Sequence, residues 1–146
     1  MPQSESKVKQ ATVALVRTAS IVKRAYEALM HEHDITLQQF NVLRILRGAG
    51  EPLPTMEVAA RMIEPEPGIT RLIGRLVDKG LVTRTRCGED SRRVLCTISE
   101  KGQTVLKGLD EPVIALDDRI MGSMTDADLD EIIRLLHRAC EEVVAT

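Results

Sequence analysis

The sequence predicts a mainly α-helical fold carrying one small β-hairpin, and three observations predict it. Apolar residues recur at three- and four-residue steps through most of the 146-residue chain, the period of helices buried on one side. The chain has one Phe, one Tyr and no Trp, so Leu, Ile, Val, Ala and Met must build the core, a composition that suits helices better than a β-sandwich. The period changes to strict alternation only after residue 80, where "LVTRTR" and "RRVLCTI" flank the turn-rich "CGEDS", the pattern of a hairpin.

The elements follow in order. Residues 6–31 read as a long helix with Val8, Ala11, Leu15, Ala19, Val22, Tyr26 and Leu29 in one stripe. A stripe that long needs a partner surface. Residues 36–48 form a second helix, opened by Thr36 and Gln39 as a capping box and buried through Phe40, Leu43 and Leu46. Gly48 and Gly50 stop it. "TMEVAARMI" is a short third helix with Val58, Ala59 and Met62 inward. Pro67 then suits the first position of a fourth helix, since its missing N–H would be unpaired there. That helix, residues 67–79, buries Ile69, Leu72, Ile73, Leu76 and Val77 and turns Thr70, Arg71, Gly74, Arg75 and Asp78 outward. Gly80 is its left-handed cap. After the hairpin, Ser99 begins a helix to Met121 in which Pro112 predicts a kink or break. Thr125 with Asp128 caps the last helix, whose stripe is Leu129, Ile132, Ile133, Leu136, Cys140 and Val143.

Composition bounds the rest. Hydrophobic residues make up 43% and charged residues 29%, a globular balance within the size of one domain. No uncharged apolar run approaches the roughly 20 residues that span a bilayer. The early "ATVALVRTASIV" is interrupted by Arg17 and lacks a cleavage site. The expectation is a soluble cytoplasmic protein with no membrane partner. Three widely spaced cysteines without a CxxC argue against a disulfide framework or zinc knuckle.

Net charge is −2, but its distribution is uneven. Residues 68–99 hold seven cations (Arg71, Arg75, Lys79, Arg84, Arg86, Arg92, Arg93) against three anions, while residues 100–146 hold five against eleven. A footprint for a polyanion needs clustered cations, not a basic whole. The second to fourth helices and the hairpin have the order of a winged helix-turn-helix, whose recognition helix enters the DNA major groove. The fourth helix is the candidate. Arg71 and Arg75 share one face and suit guanine edges or phosphates. Thr70 suits a phosphate or a thymine methyl, and Gly74 leaves room for close approach of the groove. The positive helix N-terminus, at Pro67 and Gly68, attracts phosphate. On the hairpin, Arg84 and Arg86 share a strand face, and Arg92 and Arg93 flank the turn, where an Arg fits a narrow minor groove. Asp90 is read as the intramolecular partner that splays one of these arginines.

On these residues the chain resembles the MarR family of transcriptional regulators, over nearly its whole length. The most specific stretch is "GITRLIGRLVDKGLVTRTRCGEDSRRVLCTISEKG", residues 68–102. It holds the recognition helix, the "LVDKGLVTR" that leads to the wing, Asp90 and Arg92 as the Asp-x-Arg element, and the closing Ser99-Glu100-Lys101-Gly102. "MEVAARM" is similar to the family's third helix. "MIEPEPG" departs from the family pattern in its prolines. The resemblance implies a single domain: residues 1–33 and 100–146 as dimerisation helices, residues 34–99 as the DNA-binding lobe. It implies a homodimer on a pseudopalindromic double-stranded operator, acting as a repressor released by a small aromatic or phenolic ligand. No cofactor is implied.

Arg17, Tyr26 and Phe40 are candidate ligand residues, from helices that would border the crevice between dimer helices and DNA-binding lobe. Tyr26 and Phe40 fit equally well as core. Cys87, beside Arg86, is a candidate redox thiol, because nearby cations favour the thiolate. The plainer reading is a tolerated turn cysteine. Cys96 and Cys140 read as core. His31 to Asp34, "HEHD", offers metal-ligand types, but His31 and His33 are two apart and diverge on a helix. A redox- or metal-responsive regulator on the same scaffold is therefore the first alternative. A helical dimer that binds only protein is the second. No catalytic constellation or phosphate loop points to an enzyme.

Overall fold

The structure is a computed structural model and describes residues 6–86 and 93–145. The elements run α1 (Lys7–Glu32), α2 (Leu37–Ala49), β1 (Leu53–Pro54), α3 (Thr55–Arg61), α4 (Ile69–Asp78), β2 (Val82–Arg86), β3 (Val94–Ile98), α5 (Glu100–Met121), α6 (Asp126–Arg138) and α7 (Glu141–Val144). The chain divides into two compact units, Met1–Pro112 and Val113–Thr146. The division falls inside α5.

In the first unit, local chemistry sets the helix ends. The Ser6 hydroxyl accepts from the Lys9 N–H at 3.2 Å and starts α1. Thr36 and Gln39 form the expected reciprocal box: the Gln39 N–H donates to Thr36 Oγ1 at 3.1 Å and the Thr36 N–H to Gln39 Oε1 at 3.0 Å. Gly50 ends α2 with φ +66°. α4 closes in a Schellman motif, with the Leu81 N–H on the Leu76 carbonyl and the Gly80 N–H on the Val77 carbonyl, each at 2.9 Å. That motif requires the φ of +75° seen at Gly80. A Cβ at Gly80 would meet only the Lys101 side chain, at 3.8 Å. Gly80→Ala should therefore cost the left-handed strain alone, roughly 1–2 kcal/mol, measured by urea denaturation at unchanged m value.

The core of this unit centres on Met30, Val42, Leu43, Val58, Ile73, Leu76, Val82, Cys96, Leu106 and Leu109, all nearly or wholly inaccessible. Each such aliphatic side chain contributes roughly 1.5–3 kcal/mol by leaving water. α1 joins this core only at its C-terminal end, where Met30 is buried and Val22, Tyr26 and Leu29 are half-buried. Val8, Val13, Leu15, Val16 and Ile21 stay exposed. α2 packs on α1, α3 and α4.

The sheet has the order β1–β3–β2, all antiparallel. The β2–β3 hairpin is the one expected. β1 is an addition: Leu53 lies opposite Cys96 and Pro54 opposite Leu95. Two residues give no readable alternation, and their partner lies more than forty residues on.

Three further expectations need correction. Pro67 is not the first residue of α4; Gly68 is the N-cap and Ile69 opens the helix. Of the kink or break expected at Pro112, the break is absent: α5 runs from Glu100 to Met121. The proline removes one i→i−4 bond, to the carbonyl of Gly108. Cys140 is not core: it is exposed, with φ +71°, and separates α6 from α7. A left-handed residue ends a helix, so the stripe expected to continue through Cys140 stops at Arg138.

In the second unit, Thr125 and Asp128 form the second expected box: Thr125 N–H to Asp128 Oδ2 at 3.0 Å, Asp128 N–H to Thr125 Oγ1 at 3.2 Å. On α6, the Arg134 guanidinium hydrogen-bonds Glu131 and holds its carboxyl below the usual range. Ile133, Leu135 and Leu136 are exposed on the same helix.

Candidate nucleic-acid interface

α4 is fixed from below. Ile69, Ile73 and Leu76, spaced by four and three residues, are buried, with Leu72 and Val77 half-buried beside them. That spacing leaves Thr70, Arg71 and Arg75 exposed on the other side, and Gly74 half-buried between them. Arg71 and Arg75 are four residues apart, so their roots sit about 6 Å apart along the axis on one face.

The hairpin adds to this surface through its register. Val82, Arg84 and Arg86 lie opposite Ile98, Cys96 and Val94. Directly opposed residues share a sheet face. One face therefore runs from buried Val82 and Cys96 to exposed Arg84 and Arg86. Arg84 bends back toward α4: a Cβ at Gly74 would lie 4.0 Å from Arg84 Nη1. Beyond the helix's own backbone, the first atom that a Cβ at Gly74 would approach is thus a guanidinium nitrogen of the hairpin. Helix and hairpin cations form one surface.

A cavity of about 450 Å³ opens beside it, lined by Thr55, Met56, Thr70, Ile73, Arg84 and Arg93 among others. Met56, Ile73 and Val94 give it apolar lining, and Arg84 and Arg93 give it charge. Thr55 also approaches Cys96, with Oγ1 3.7 Å from Sγ. The α3 contribution is not among the candidate site residues of the sequence. The available signal was Met56, an apolar residue two positions before Val58, hence off the buried stripe of α3; it is 74% exposed.

None of Arg71, Arg75, Arg84, Arg86 and Arg93 forms an ion pair with another described residue. Ion pairs among the described residues of this unit, such as Lys23–Glu64, Arg47–Asp110 and Arg61–Glu57, lie elsewhere. The basic surface is left un-neutralised by them.

Ahead of α4, Pro67 and Gly68 are exposed. The Gly68 N–H donates to Glu66 Oε1 at 3.1 Å, a contact the sequence reading did not foresee. Cys87, Asp90 and Arg92 lie outside the described residues.

The ligand trio is not brought together. Phe40 is packed in the core of α2 at 7% exposure. Arg17 is exposed and Tyr26 half-buried on α1. They are nine residues apart, half a turn out of phase on a helix of 3.6 residues per turn, so one crevice cannot take both from the same α1. At the end of α1, His31 and His33 are exposed, and the His33 ring Nδ1 lies 3.1 Å from the Leu29 carbonyl. Among the described residues no group of three or more His, Cys, Asp or Glu is placed to hold a metal. Among them, too, no helix is long and apolar enough to cross a membrane.

A family model described as the MarR family matches residues 33–93, the stretch from just after α1 to just before β3. The transcriptional regulator TtmR of Methylorubrum extorquens is 32% identical over 127 residues, which is 87% of this chain and 62% of that protein. The chain thus spans less than two thirds of TtmR. SarZ of Staphylococcus saprophyticus, another HTH-type transcriptional regulator, is 30% identical over 82% of this chain and 77% of its own length. A crystal structure of a MarR transcription factor from Planctomyces limnophilus is similar at 37% identity and a TM-score of 0.72, covering 94% of this chain and all of that one.

Proposed function

The chain belongs to the MarR family of DNA-binding transcriptional regulators, and on that premise we propose that it works as a homodimeric repressor released by a small ligand. The observation that carries the DNA contact is the surface of Arg71, Arg75, Arg84 and Arg93, shared between α4 and the hairpin and free of ion pairs with any other described residue. In this reading α4 enters the major groove and the hairpin is a wing on the flanking backbone and minor groove. Thr70 touches phosphate or a thymine methyl, and Arg86 follows the backbone.

The exposed apolar residues of α1 support the second copy. Val8, Leu15, Val16 and Ile21 stay in water in a single chain, and an isologous contact would cover them. Two copies place two α4 helices about 34 Å apart, on a pseudopalindromic site.

For the ligand, the cavity beside α4 fits better than the trio of Arg17, Tyr26 and Phe40. Its volume of about 450 Å³ lies in the range of small-molecule sites. Met56 and Ile73 offer apolar walls, and Arg84 and Arg93 offer charge. An aromatic carboxylate or phenolate there would compete with DNA for Thr70 and Arg84.

The test is a salt-series titration of the upstream DNA of the protein's own gene against scrambled DNA. The expected result is tight, specific binding by two chains per site. The logarithm of affinity should fall with the logarithm of salt at roughly −0.9 per phosphate contacted. An aromatic carboxylate such as salicylate should weaken it. Affinity indifferent to salt would overturn the reading and favour a protein-binding dimer.

A further inference from the structure

Two X–Pro units, Glu64-Pro65 and Glu66-Pro67, lie immediately before α4. Each proline holds the residue before it in extended backbone, so the two carboxylates stand on a stiff segment. Glu64 is neutralised by Lys23, with Nζ 3.1 Å from Oε2. Glu66 is half-buried, forms no ion pair with another described residue, and accepts the Gly68 N–H at 3.1 Å. Gly68 has no side chain to make that bond itself, and a Cβ there would already sit 3.3 Å from Glu66 Oε1. From these placements we infer that Glu66 limits the affinity of the protein for all DNA by holding a fixed negative charge where α4 would meet phosphate.

The inference rests on the DNA-binding reading. In that reading Thr70 and Arg71, one turn further on, face the duplex. A phosphate drawn to the start of α4 meets a carboxylate already seated on the first free amide. The Gly68 amide at the helix start is satisfied from within, and in this reading the main phosphate contact passes to the arginines. Because a phosphate is present at every sequence, the repulsion weakens specific and non-specific complexes alike. Its effect is to lower the affinity for every duplex while the ratio between operator and random DNA is unchanged. The repulsion also decays with salt, since the screening length is about 10 Å at 0.1 M.

Glu66→Gln tests this. Gln keeps a carbonyl oxygen that accepts from the Gly68 N–H and removes only the charge. At about 50 mM salt it should bind operator and scrambled duplex each about fivefold more tightly, a like-charge contact near the surface being of that order. The gain should vanish as salt rises, and the melting temperature should hold. Glu66→Ala, which removes the acceptor as well, should share the gain and melt lower. Glu32→Gln removes the same charge near the end of α1, by Asp34, whose carbonyl binds Lys79 at the far end of α4; it should change nothing. If E66Q binds no tighter, or more weakly, while the wild type shows a normal salt slope, Glu66 is only a cap and the inference fails alone. A wild type with no salt-dependent binding takes down the DNA-binding reading and this inference together.

Discussion

Gly102→Ala should lower the melting temperature by roughly 6–12 °C, although glycine to alanine inside a helix usually stabilises. The reason is steric. A Cβ at Gly102 would sit 2.3 Å from the Leu81 carbonyl oxygen and 2.8 Å from Ile98 Cγ1. The carbonyl cannot easily withdraw, because it accepts the Ser99 N–H at 3.0 Å. Ser99 is tied in turn: its hydroxyl donates to the Gly80 carbonyl at 2.6 Å and accepts the Gly102 N–H at 3.0 Å. Lys101 Nζ closes the same junction on the Lys79 carbonyl at 3.0 Å. Overpacking a site held this way costs on the order of 3 kcal/mol, and each kcal/mol is worth roughly 2–4 °C in a chain this long. Calorimetry checks it, with Gly80→Ala as the comparison that adds strain without a clash. A fall under about 2 °C would show that the α4–β2 turn yields.

Arg71→Ala and Arg75→Ala should each weaken operator binding by on the order of 1–3 kcal/mol if they read bases. Both are exposed and neither forms an ion pair with a described residue, so thermal stability should not change. The comparison with scrambled DNA identifies what each contacts. A loss confined to operator means base edges. An equal loss on both duplexes, with a salt slope shallower by about one, means phosphate.

What the sequence disclosed tracks how local each cause is. The two capping boxes are three-residue chemistry, and Thr36–Gln39 and Thr125–Asp128 close as expected. Gly50 and Gly80 end their helices because left-handed backbone is needed there. The buried stripe of α4 and the shared face of Arg84 and Arg86 follow from periods of 3.6 and 2. Causes that act across the chain were not legible. β1 exists only because β3 arrives to pair with it. Pro112 is tolerated because the rest of α5 continues on both sides, which no propensity records. The stripe of the last helix stops early at left-handed Cys140. At the candidate interface, the positions of Arg71, Arg75 and Arg84 were readable, but the fold of Arg84 onto Gly74 was not. Nor were the α3 side of the cavity and the carboxylate of Glu66 on Gly68. Phe40 shows a case that the sequence leaves open: it fits a ligand wall and the core equally well, and the fold buries it in the core.

The short strand β1 has a consequence for how the protein behaves in concentrated solution. A three-stranded sheet exposes two open borders to neighbouring molecules, and unpaired backbone there templates fibre growth. Here one border is two residues long and ends in Pro54, which offers no N–H to an incoming chain. The other is β2, whose exposed Arg84 and Arg86 repel a second copy of themselves. The arginines proposed to draw DNA to the sheet therefore also keep sheets apart. Preparations free of nucleic acid should stay clear at low salt, where that repulsion is strongest, and it is there that neutralising these arginines would first turn them cloudy.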